Sequence, residues 1–208
     1  MTLFPMFLKL EGRSCLVVGA GSVGAPKIES LLETGACVRV VAPRVNFAVG
    51  EWAGSGAISW EAREFVVSDL DGVFLVIAAT SSREVNELIF REARRRNMLC
   101  NVVDDPEHCD FYYPAVVRRG NLQIAVSTNG LSPALAQRIR RELEEQFGPE
   151  YDEWLEQLGQ IRRQLFASAI HPEERRRLLH RMASREAFEQ AHQSAAIEIE
   201  HSSQGELS

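Results

Sequence analysis

The chain has 208 residues, a formal net charge of −6, 45% hydrophobic residues and 25% charged residues. This composition is typical of a globular protein with room for one α/β domain and a smaller appendage. The negative charge disfavours nucleic acid as a partner, and no apolar run is long enough to span a membrane. The apolar N-terminus has no basic region and no small-residue cleavage site, so we expect a cytoplasmic protein without a membrane partner.

A strand, a glycine turn, a helix and a second strand are predicted between residues 14 and 43. An apolar run over residues 15–18 precedes Gly19, Gly21 and Gly24, which complete the pattern G-x-G-x-x-G. The first glycine permits the tight turn, the second lets a pyrophosphate approach the backbone, and the third lets the helix pack closely. The motif predicts dinucleotide binding at the helix N-terminus. The alternative is an α/β fold in which the edge of the sheet at this turn binds no ligand.

The end of the second strand departs from the usual dinucleotide fingerprint. An acidic residue is expected there to bind the adenosine ribose, but the chain has Ala42, Pro43 and Arg44. An arginine at this place favours a 2′-phosphate and so leaves NADP open as the cofactor. Pro43 fixes the backbone without donating a hydrogen bond.

Strands and helices continue to alternate up to about residue 105. The predicted helices cover residues 44–54 and 84–96, with Ser82 as the N-cap of the second, and the predicted strands cover residues 58–62, 72–79 and 99–103. Residues 65–70 are predicted to be a connection that carries acidic residues. This alternation implies a parallel sheet with right-handed crossovers, in which ligands bind beyond the carboxyl ends of the strands. The candidate strand ends are the glycine turn, residues 79–80 and residues 104–105.

The pattern changes after residue 105. A hairpin with its turn at Gly120 and Asn121 precedes a polar loop over residues 127–132 and a helix that continues to about residue 147. Ser132 is placed as the N-cap of this helix and Pro133 as its first residue. A polar, glycine-containing loop at a helix N-terminus is a second potential anion site. Ordinary capping would also explain these two residues.

Three further helices are predicted after Gly148 and Pro149, over residues 151–169, 172–182 and 184–196. The predicted fold is an α/β protein with a Rossmann-type parallel sheet, a small α+β region and a C-terminal helical domain. The predicted boundaries are 1–113 for the dinucleotide-binding domain, 114–147 for the α+β region, 148–200 for the helical domain and 201–208 for a disordered tail.

The four cysteines are Cys15, Cys37, Cys100 and Cys109, and none forms C-x-x-C. The first three lie in predicted core strands, so we expect buried, reduced thiols that pack as small hydrophobic groups. No resident metal site is predicted.

Five sequence blocks occur in order along the chain, at residues 4–8, 17–24, 76–80, 100–106 and 124–136. In order and spacing they resemble the precorrin-2 dehydrogenase and sirohydrochlorin ferrochelatase family, which completes sirohaem synthesis. The resemblance covers residues 3–145 and continues more loosely through the helical tail. The last two blocks are far more specific than the glycine motif. The chain is similar to the stand-alone form of the family, without a fused methyltransferase.

The resemblance implies that precorrin-2, a tetrapyrrole with eight carboxylates, is oxidised to sirohydrochlorin with NAD⁺ as the hydride acceptor. It also implies Fe²⁺ as a substrate in many members, and a homodimer that exchanges residues 114–147. Members use NAD⁺ without the acidic ribose-binding residue, so NAD is the expected cofactor. Together with the motif and the strand end, matching positions predict these cofactor-binding residues: Gly19, Gly21, Ser22, Val23, Gly24, Pro43, Arg44 and Thr80.

The chemistry that the resemblance implies requires a base. Removal of a hydride from carbon is accompanied by proton loss, and metal insertion requires loss of the pyrrole N–H protons. Asp104 occupies the family's strand-end position, and we expect it to serve as the base in both steps. The alternative is a turn-capping aspartate before Pro106. We expect Asp105 to point elsewhere, and His108 is a weaker candidate for proton transfer or iron delivery.

The substrate carboxylates need hydrogen-bond donors, which the polar loop can supply. The expected substrate-binding residues are Ser127, Thr128, Asn129, Gly130 and Ser132, with Arg118, Arg119 and Arg138 as unranked charge partners. Three other functions stay open: a dehydrogenase without chelatase activity, a dinucleotide-sensing regulatory module, and an NADP-dependent reductase of another small molecule. The strand-end aspartate and the polar loop count against the sensor, and Arg44 alone supports the reductase.

Overall fold

A five-stranded parallel sheet forms the first part of the chain in the computed structural model, which describes residues 2–191. Its strands are β1 (Ser14–Ala20), β2 (Cys37–Val45), β3 (Ser59–Glu61), β4 (Leu75–Ala78) and β5 (Leu99–Val102). Their order is β3-β2-β1-β4-β5, and every neighbouring pair is parallel. The predicted Rossmann-type sheet is therefore confirmed. The tail predicted over residues 201–208 lies outside the described residues.

Helices cover both faces of this sheet. They are α1 (Gly24–Leu32), α2 (Phe47–Gly54) and α3 (Arg83–Arg95). Successive side chains of a strand point to opposite faces, so Val17 packs in the core with Ile28 of α1, and Leu16 packs in the core with Ile89 of α3. Burial on both faces explains why β1 and β4 are continuous apolar runs.

The region between β2 and α2 differs from the sequence prediction. The helix expected from residue 44 begins only at Phe47, because β2 continues through Arg44 to Val45. The added residues pair with β1 beyond an irregularity in its register, where Ala20 lies opposite Val45. Asn46 then caps α2, since its Oδ1 accepts a hydrogen bond from the Val49 N–H at 3.0 Å. Arg44 is therefore a strand residue beside the glycine turn and not part of a helix.

The thiols follow the sequence prediction with one exception. Cys15 and Cys100 are buried, and burial raises the pKa of Cys15 to about 11 and that of Cys100 to about 12. Cys109 is half-buried. Cys37 is exposed, so the expectation that it is a core thiol was wrong. Cys37 is the first residue of β2, and the buried part of this strand begins only at the next residue, Val38.

A buried carboxylate ties β2 to the segment after β3. The Asp69 side chain is only 4% exposed and accepts hydrogen bonds from Arg63 Nη2 at 2.6 Å and Arg39 Nη1 at 3.3 Å. The Val66 N–H also donates to Asp69 Oδ2, at 2.9 Å. Chiefly through the Arg63 hydrogen bond, these contacts lower the pKa of Asp69 to about 2. The ionised carboxylate is therefore part of the folded structure.

We expect Asp69→Asn to lower the free energy of unfolding by about 2 kcal/mol at pH 7. The folded-state pKa of about 2 is depressed from its ordinary value of 3.8, so this stabilisation is present above pH 4 and is lost as pH falls through 2. Urea unfolding of wild type and variant at several pH values measures it. Glu11→Gln, in the exposed pair with Lys9, is the control and should change stability by less than about 0.5 kcal/mol. A difference that does not shrink at low pH would contradict this account.

The remaining described residues form a second compact unit, made of Pro114–Thr128 and the residues from Ser132 onward, while Asn129–Leu131 group with the first unit. Its elements are the antiparallel strands β6 (Ala115–Arg119) and β7 (Leu122–Val126), and the helices α4 (Pro133–Gln146), α5 (Glu150–Ala167) and α6 (Pro172–Met182). The predicted two-residue hairpin turn is confirmed. Within residues 2–191, no helix is long and apolar enough to cross a bilayer.

Candidate active site

Each glycine of the turn between β1 and α1 has a different environment. Gly19 has a φ of 93°, and a Cβ there would lie 2.3 Å from the Ala79 carbonyl oxygen. A Cβ on Gly24 would lie 2.3 Å from the Gly19 carbonyl oxygen, so α1 can begin this close to β1 only with glycine. No atom lies within 4 Å of the Cβ position of Gly21. The turn is thus tightly packed at Gly19 and Gly24 and open at Gly21.

The first turn of α1 suits an anion. The helix begins after Val23, whose side chain makes no capping hydrogen bond, and the Ala25 N–H donates to the Gly21 carbonyl oxygen at 3.1 Å. Ser22 and Val23 are both exposed. The first N–H groups of a helix have no partner within the helix, and the helix dipole adds positive potential there. The open face at Gly21 and this helix start fit the pyrophosphate of a dinucleotide.

Pro43 and Arg44 lie beside this turn, because the end of β2 pairs with the end of β1. The Asn46 N–H donates to the Ala20 carbonyl oxygen at 3.3 Å. Both Pro43 and Arg44 are exposed, and Arg44 forms no ion pair within the part of the chain that the structure describes. The two predicted cofactor-binding segments are therefore brought together.

Thr80 follows β4, and its side chain contacts the start of α3. Its Oγ1 lies 2.7 Å from Asn86 Oδ1 and 3.0 Å from the Ser82 carbonyl oxygen, while Asn86 Nδ2 donates to the Thr80 carbonyl oxygen at 3.1 Å. Ser82 caps α3 as predicted, since its Oγ accepts from the Val85 N–H at 3.3 Å. The Thr80 hydroxyl thus orients the strand end, and its contact with a cofactor stays a prediction.

Asp104 directly follows β5 and Val103, at the carboxyl end of the sheet. It has a left-handed φ of 62° and is exposed, and the turn is closed by the Asp105 N–H donating to the Val102 carbonyl oxygen at 3.2 Å. Such a conformation is uncommon for residues other than glycine, and strained residues cluster at functional sites. Within residues 2–191 the Asp104 carboxylate accepts no hydrogen bond. The Asp104 carboxylate oxygens are therefore available to accept a proton. In a turn-capping aspartate they would already accept backbone hydrogen bonds.

The loop that starts at Asp104 is tied back to β5 by buried polar contacts that the sequence analysis missed. Asn101 is 6% exposed, and its Nδ2 donates to the Phe111 carbonyl oxygen at 2.8 Å. The Cys100 N–H donates to Asp110 Oδ2 at 3.0 Å, and the Asp110 N–H donates to the Cys100 carbonyl oxygen at 2.8 Å. An asparagine within an apolar strand was the available signal.

Asp105 and His108 form a pair beside Asp104. His108 Nδ1 lies 2.7 Å from Asp105 Oδ2, and the His108 ring packs edge-on against Phe90 with 4.6 Å between centroids. The Asp105 carboxylate therefore has a partner within its own turn, whereas the Asp104 carboxylate has no hydrogen-bond partner among the described residues. Residues 2–191 contain no cluster of three or more His, Cys, Asp or Glu side chains suited to a metal ion.

The predicted substrate loop has two left-handed residues, Asn129 with φ 56° and Gly130 with φ 78°. Thr128 Oγ1 accepts from the Ser132 N–H at 3.1 Å, and Ser132 Oγ accepts from the Leu135 N–H at 3.3 Å. The predicted capping of α4 is thus confirmed. Substrate binding by Ser127, Thr128, Asn129, Gly130 and Ser132 stays a prediction.

Two of the candidate arginines, Arg119 and Arg138, contact groups within their own unit. Arg119 donates to the Phe147 and Glu144 carbonyl oxygens at 2.8 and 3.0 Å, which holds β6 to the end of α4. Arg138 pairs with Glu142 at 3.5 Å on the exposed surface of α4. Neither contact indicates a substrate carboxylate.

The strand order and the glycine turn define the class of the protein: it has a dinucleotide-binding domain of the Rossmann type. Residues 6–115 match the family described as "Putative NAD(P)-binding", and residues 119–146 match the family described as "Sirohaem biosynthesis protein central". Since the first match covers more than half of the chain, the chain belongs to this NAD(P)-binding family. The resemblance to the sirohaem-synthesis family is confirmed by both matches.

Named relatives agree with these matches. A siroheme synthase of Neisseria meningitidis serogroup C is 37% identical over 99% of this chain and 44% of that protein. A siroheme synthase of Photorhabdus laumondii is 43% identical over 69% of this chain and 31% of that protein. The chain thus spans less than half the length of these curated relatives. The solved structure of SirC, precorrin-2 dehydrogenase, superposes with a TM-score of 0.78 at 28% identity, covering 88% of this chain and 90% of that one.

Proposed function

We propose that the chain is an NAD⁺-dependent dehydrogenase of sirohaem biosynthesis that oxidises precorrin-2 to sirohydrochlorin. The observation that carries the proposal is Asp104, an exposed carboxylate without a hydrogen-bond partner in the described residues, directly after a strand of the sheet that holds the glycine turn. The similarity to SirC, precorrin-2 dehydrogenase, and to siroheme synthases supports the choice of substrate.

The dinucleotide, when bound, supplies the hydride acceptor. The open backbone at Gly21 and the start of α1 would bind its pyrophosphate, and Pro43 and Arg44 at the end of β2 would bind its adenosine half. Asp104 takes up the proton that leaves the tetrapyrrole as the hydride is transferred, so one hydride and one proton leave the substrate. NADP⁺ is the competing cofactor because Arg44 is exposed there.

We further propose that the same site inserts Fe²⁺ into sirohydrochlorin. Insertion replaces two pyrrole N–H protons by the metal ion, and a carboxylate beside the macrocycle can accept them in turn. The support is Asp104, because its carboxylate has no structural partner in the described chain that a proton would displace. A dehydrogenase without this second activity is the alternative.

The test is an assay of purified protein with precorrin-2 and either NAD⁺ or NADP⁺, followed by absorbance, with Fe²⁺ added after the first phase. We expect NADH to appear together with the oxidised tetrapyrrole, and a further spectral change with Fe²⁺ that is faster than without enzyme. A change no faster than that control would leave a dehydrogenase alone. Absence of NADH while the cofactor binds would refute the proposal and favour a sensor, and a preference for NADP⁺ would refute the choice of NAD⁺.

We also propose that the protein is a homodimer, and we expect light scattering to give twice the mass of one chain. Within the described second unit, three hydrophobic residues are buried: Ala115, Val117 and Ala136. A two-stranded hairpin with so small a core is marginal by itself. Its half-buried Ile124 and exposed Leu135 gain burial in an interface. A monomer at micromolar concentration with the same thermal stability would contradict this prediction.

A further inference from the structure

The chain contains two lysines, Lys9 and Lys27, which differ in their exposure and in their contacts. Lys9 is exposed and pairs with Glu11 at 3.2 Å. Lys27 lies near the start of α1 and is half-buried, and its ammonium group forms neither an ion pair nor a hydrogen bond within residues 2–191. Its Nζ lies 3.7 Å from the centroid of the Tyr113 ring. The Lys27 ammonium therefore lies over an aromatic ring and forms no ion pair among the described residues.

The Tyr113 ring that contacts Lys27 packs against other side chains of the first unit. Burial raises the pKa of Tyr113, and Ser30, which lies almost one turn further along α1, lowers it to a smaller extent. The ring also packs against Phe111 with 5.8 Å between centroids. Because Phe111 packs against the ring, the ammonium above it has a defined place. A cation over an aromatic face is stabilised there even when partly desolvated.

The electrostatics connect Lys27 with Asp104. Burial lowers the pKa of Lys27, while the negative charge of Asp104 acts in the opposite direction. Partial burial of an ammonium whose three N–H donors lack acceptors costs free energy, which an anionic ligand would recover. Asp104, in turn, is an exposed negative charge that repels a polycarboxylate. A neighbouring cation offsets that repulsion.

We propose that Lys27 is a substrate-binding residue that holds a carboxylate of the tetrapyrrole beside Asp104. This inference rests on the proposed function, because it requires a polycarboxylate substrate. The pyrophosphate of the dinucleotide is the other anion at this end of α1. It already has the open face at Gly21 and the first N–H groups of the helix. Lys27 lies beyond these groups, against Tyr113 and within the electrostatic reach of Asp104.

Binding measurements on Lys27→Met test the proposal. Methionine keeps an unbranched chain over the Tyr113 ring but removes the charge, and Lys9→Met is the matched control with the same change in net charge. We expect the Kd for sirohydrochlorin to rise about ten- to hundredfold in Lys27→Met, with Lys27→Arg retaining most of the affinity. The Kd for NAD⁺ and the melting temperature should stay at their wild-type values in all three variants.

Amine footprinting gives a readout that does not depend on activity. With two lysines in the chain, acetylation followed by mass spectrometry reports each separately. We expect sirohydrochlorin to protect Lys27 and not Lys9, and NAD⁺ alone to protect neither. Protection of Lys27 by NAD⁺ alone would assign it to the pyrophosphate and overturn the proposal. So would a Lys27→Met variant that binds sirohydrochlorin as wild type does. A wild-type protein that binds no sirohydrochlorin and oxidises no precorrin-2 would instead refute the proposed function itself.

Discussion

Replacing Asp104 by asparagine should lower kcat/KM for precorrin-2 oxidation by about 10²- to 10⁴-fold, the range expected for loss of a general base. Steady-state rates with NAD⁺ in excess measure this effect. Cofactor binding should be unaffected, because the proposed dinucleotide site, at the glycine turn and the end of β2, does not include the Asp104 side chain. A loss of this size with unchanged NAD⁺ affinity would identify Asp104 as the base.

Asparagine is the informative substitution because of the backbone at this position. Asp104 has a φ of 62°, and asparagine and aspartate tolerate the left-handed conformation better than most other residues with a Cβ. Asp104→Asn therefore keeps the turn and the shape of the side chain while removing its basic oxygens. Alanine at this position would add backbone strain to the loss of the base, and the two effects would be confounded.

Asp105→Asn is the matched control for this experiment. It changes the adjacent carboxylate, whose Oδ2 lies 2.7 Å from His108 Nδ1 and which therefore has a partner within its own loop. We expect its kcat/KM to stay within about tenfold of wild type, or within about 1.4 kcal/mol of transition-state stabilisation. Equal losses in both variants would indicate disruption of the loop. Full activity of Asp104→Asn with both ligands bound would show that another group is the base.

The Asp104→Asn variant also decides whether both proposed steps share one base. If iron insertion is catalysed by wild type, we expect this variant to lose it together with the oxidation. Retention of iron insertion after loss of the oxidation would require a separate proton acceptor, for which His108 beside Phe90 is the nearest candidate in sequence.

Sequence reasoning succeeded where structure is set by neighbouring residues. The strand, the glycine turn and α1 follow from local apolar periodicity and from glycines whose Cβ atoms would clash. Ser82 and Ser132 were identified as helix caps because capping depends on residues three positions apart. These local rules predict the glycine turn, at which we propose dinucleotide binding, and the end of the strand before Asp104.

The features that were missed depend on residues far apart in the chain. β2 runs past Pro43 because its end pairs with β1 beyond an irregularity, which no local pattern around Pro43 reveals. Asp69 was assigned to an acidic connection, yet it is buried, and besides the nearby Arg63 it pairs with Arg39 of β2, which is distant in sequence. The contact between Lys27 of α1 and Tyr113 joins residues on either side of the strands β2 to β5 in the chain, so no local pattern around Lys27 reveals it.

Gly21→Ala should weaken NAD⁺ binding without loss of stability, whereas Gly24→Ala should lower stability, although both variants replace a motif glycine. At Gly24 the added Cβ would lie 2.3 Å from the Gly19 carbonyl oxygen, so the start of α1 must shift. We expect this variant to lose about 1–3 kcal/mol of unfolding free energy, as for other overpacked sites. At Gly21 the new methyl group meets no protein atom within 4 Å, so stability should be unchanged.

The same methyl group at Gly21 occupies the space through which a pyrophosphate approaches the backbone. We therefore expect the Kd of Gly21→Ala for NAD⁺ to rise at least about tenfold, a loss of about 1.4 kcal/mol. Calorimetric titration with NAD⁺ and urea unfolding of the two variants measure both quantities. Gly54→Ala, whose Cβ also meets no atom within 4 Å and which, like Gly21, has no positive φ, lies outside the motif; it controls for a simple loss of glycine and should bind NAD⁺ normally. If Gly21→Ala binds NAD⁺ as tightly as wild type, the dinucleotide does not approach the turn at this face, and the cofactor site must lie elsewhere on the sheet edge.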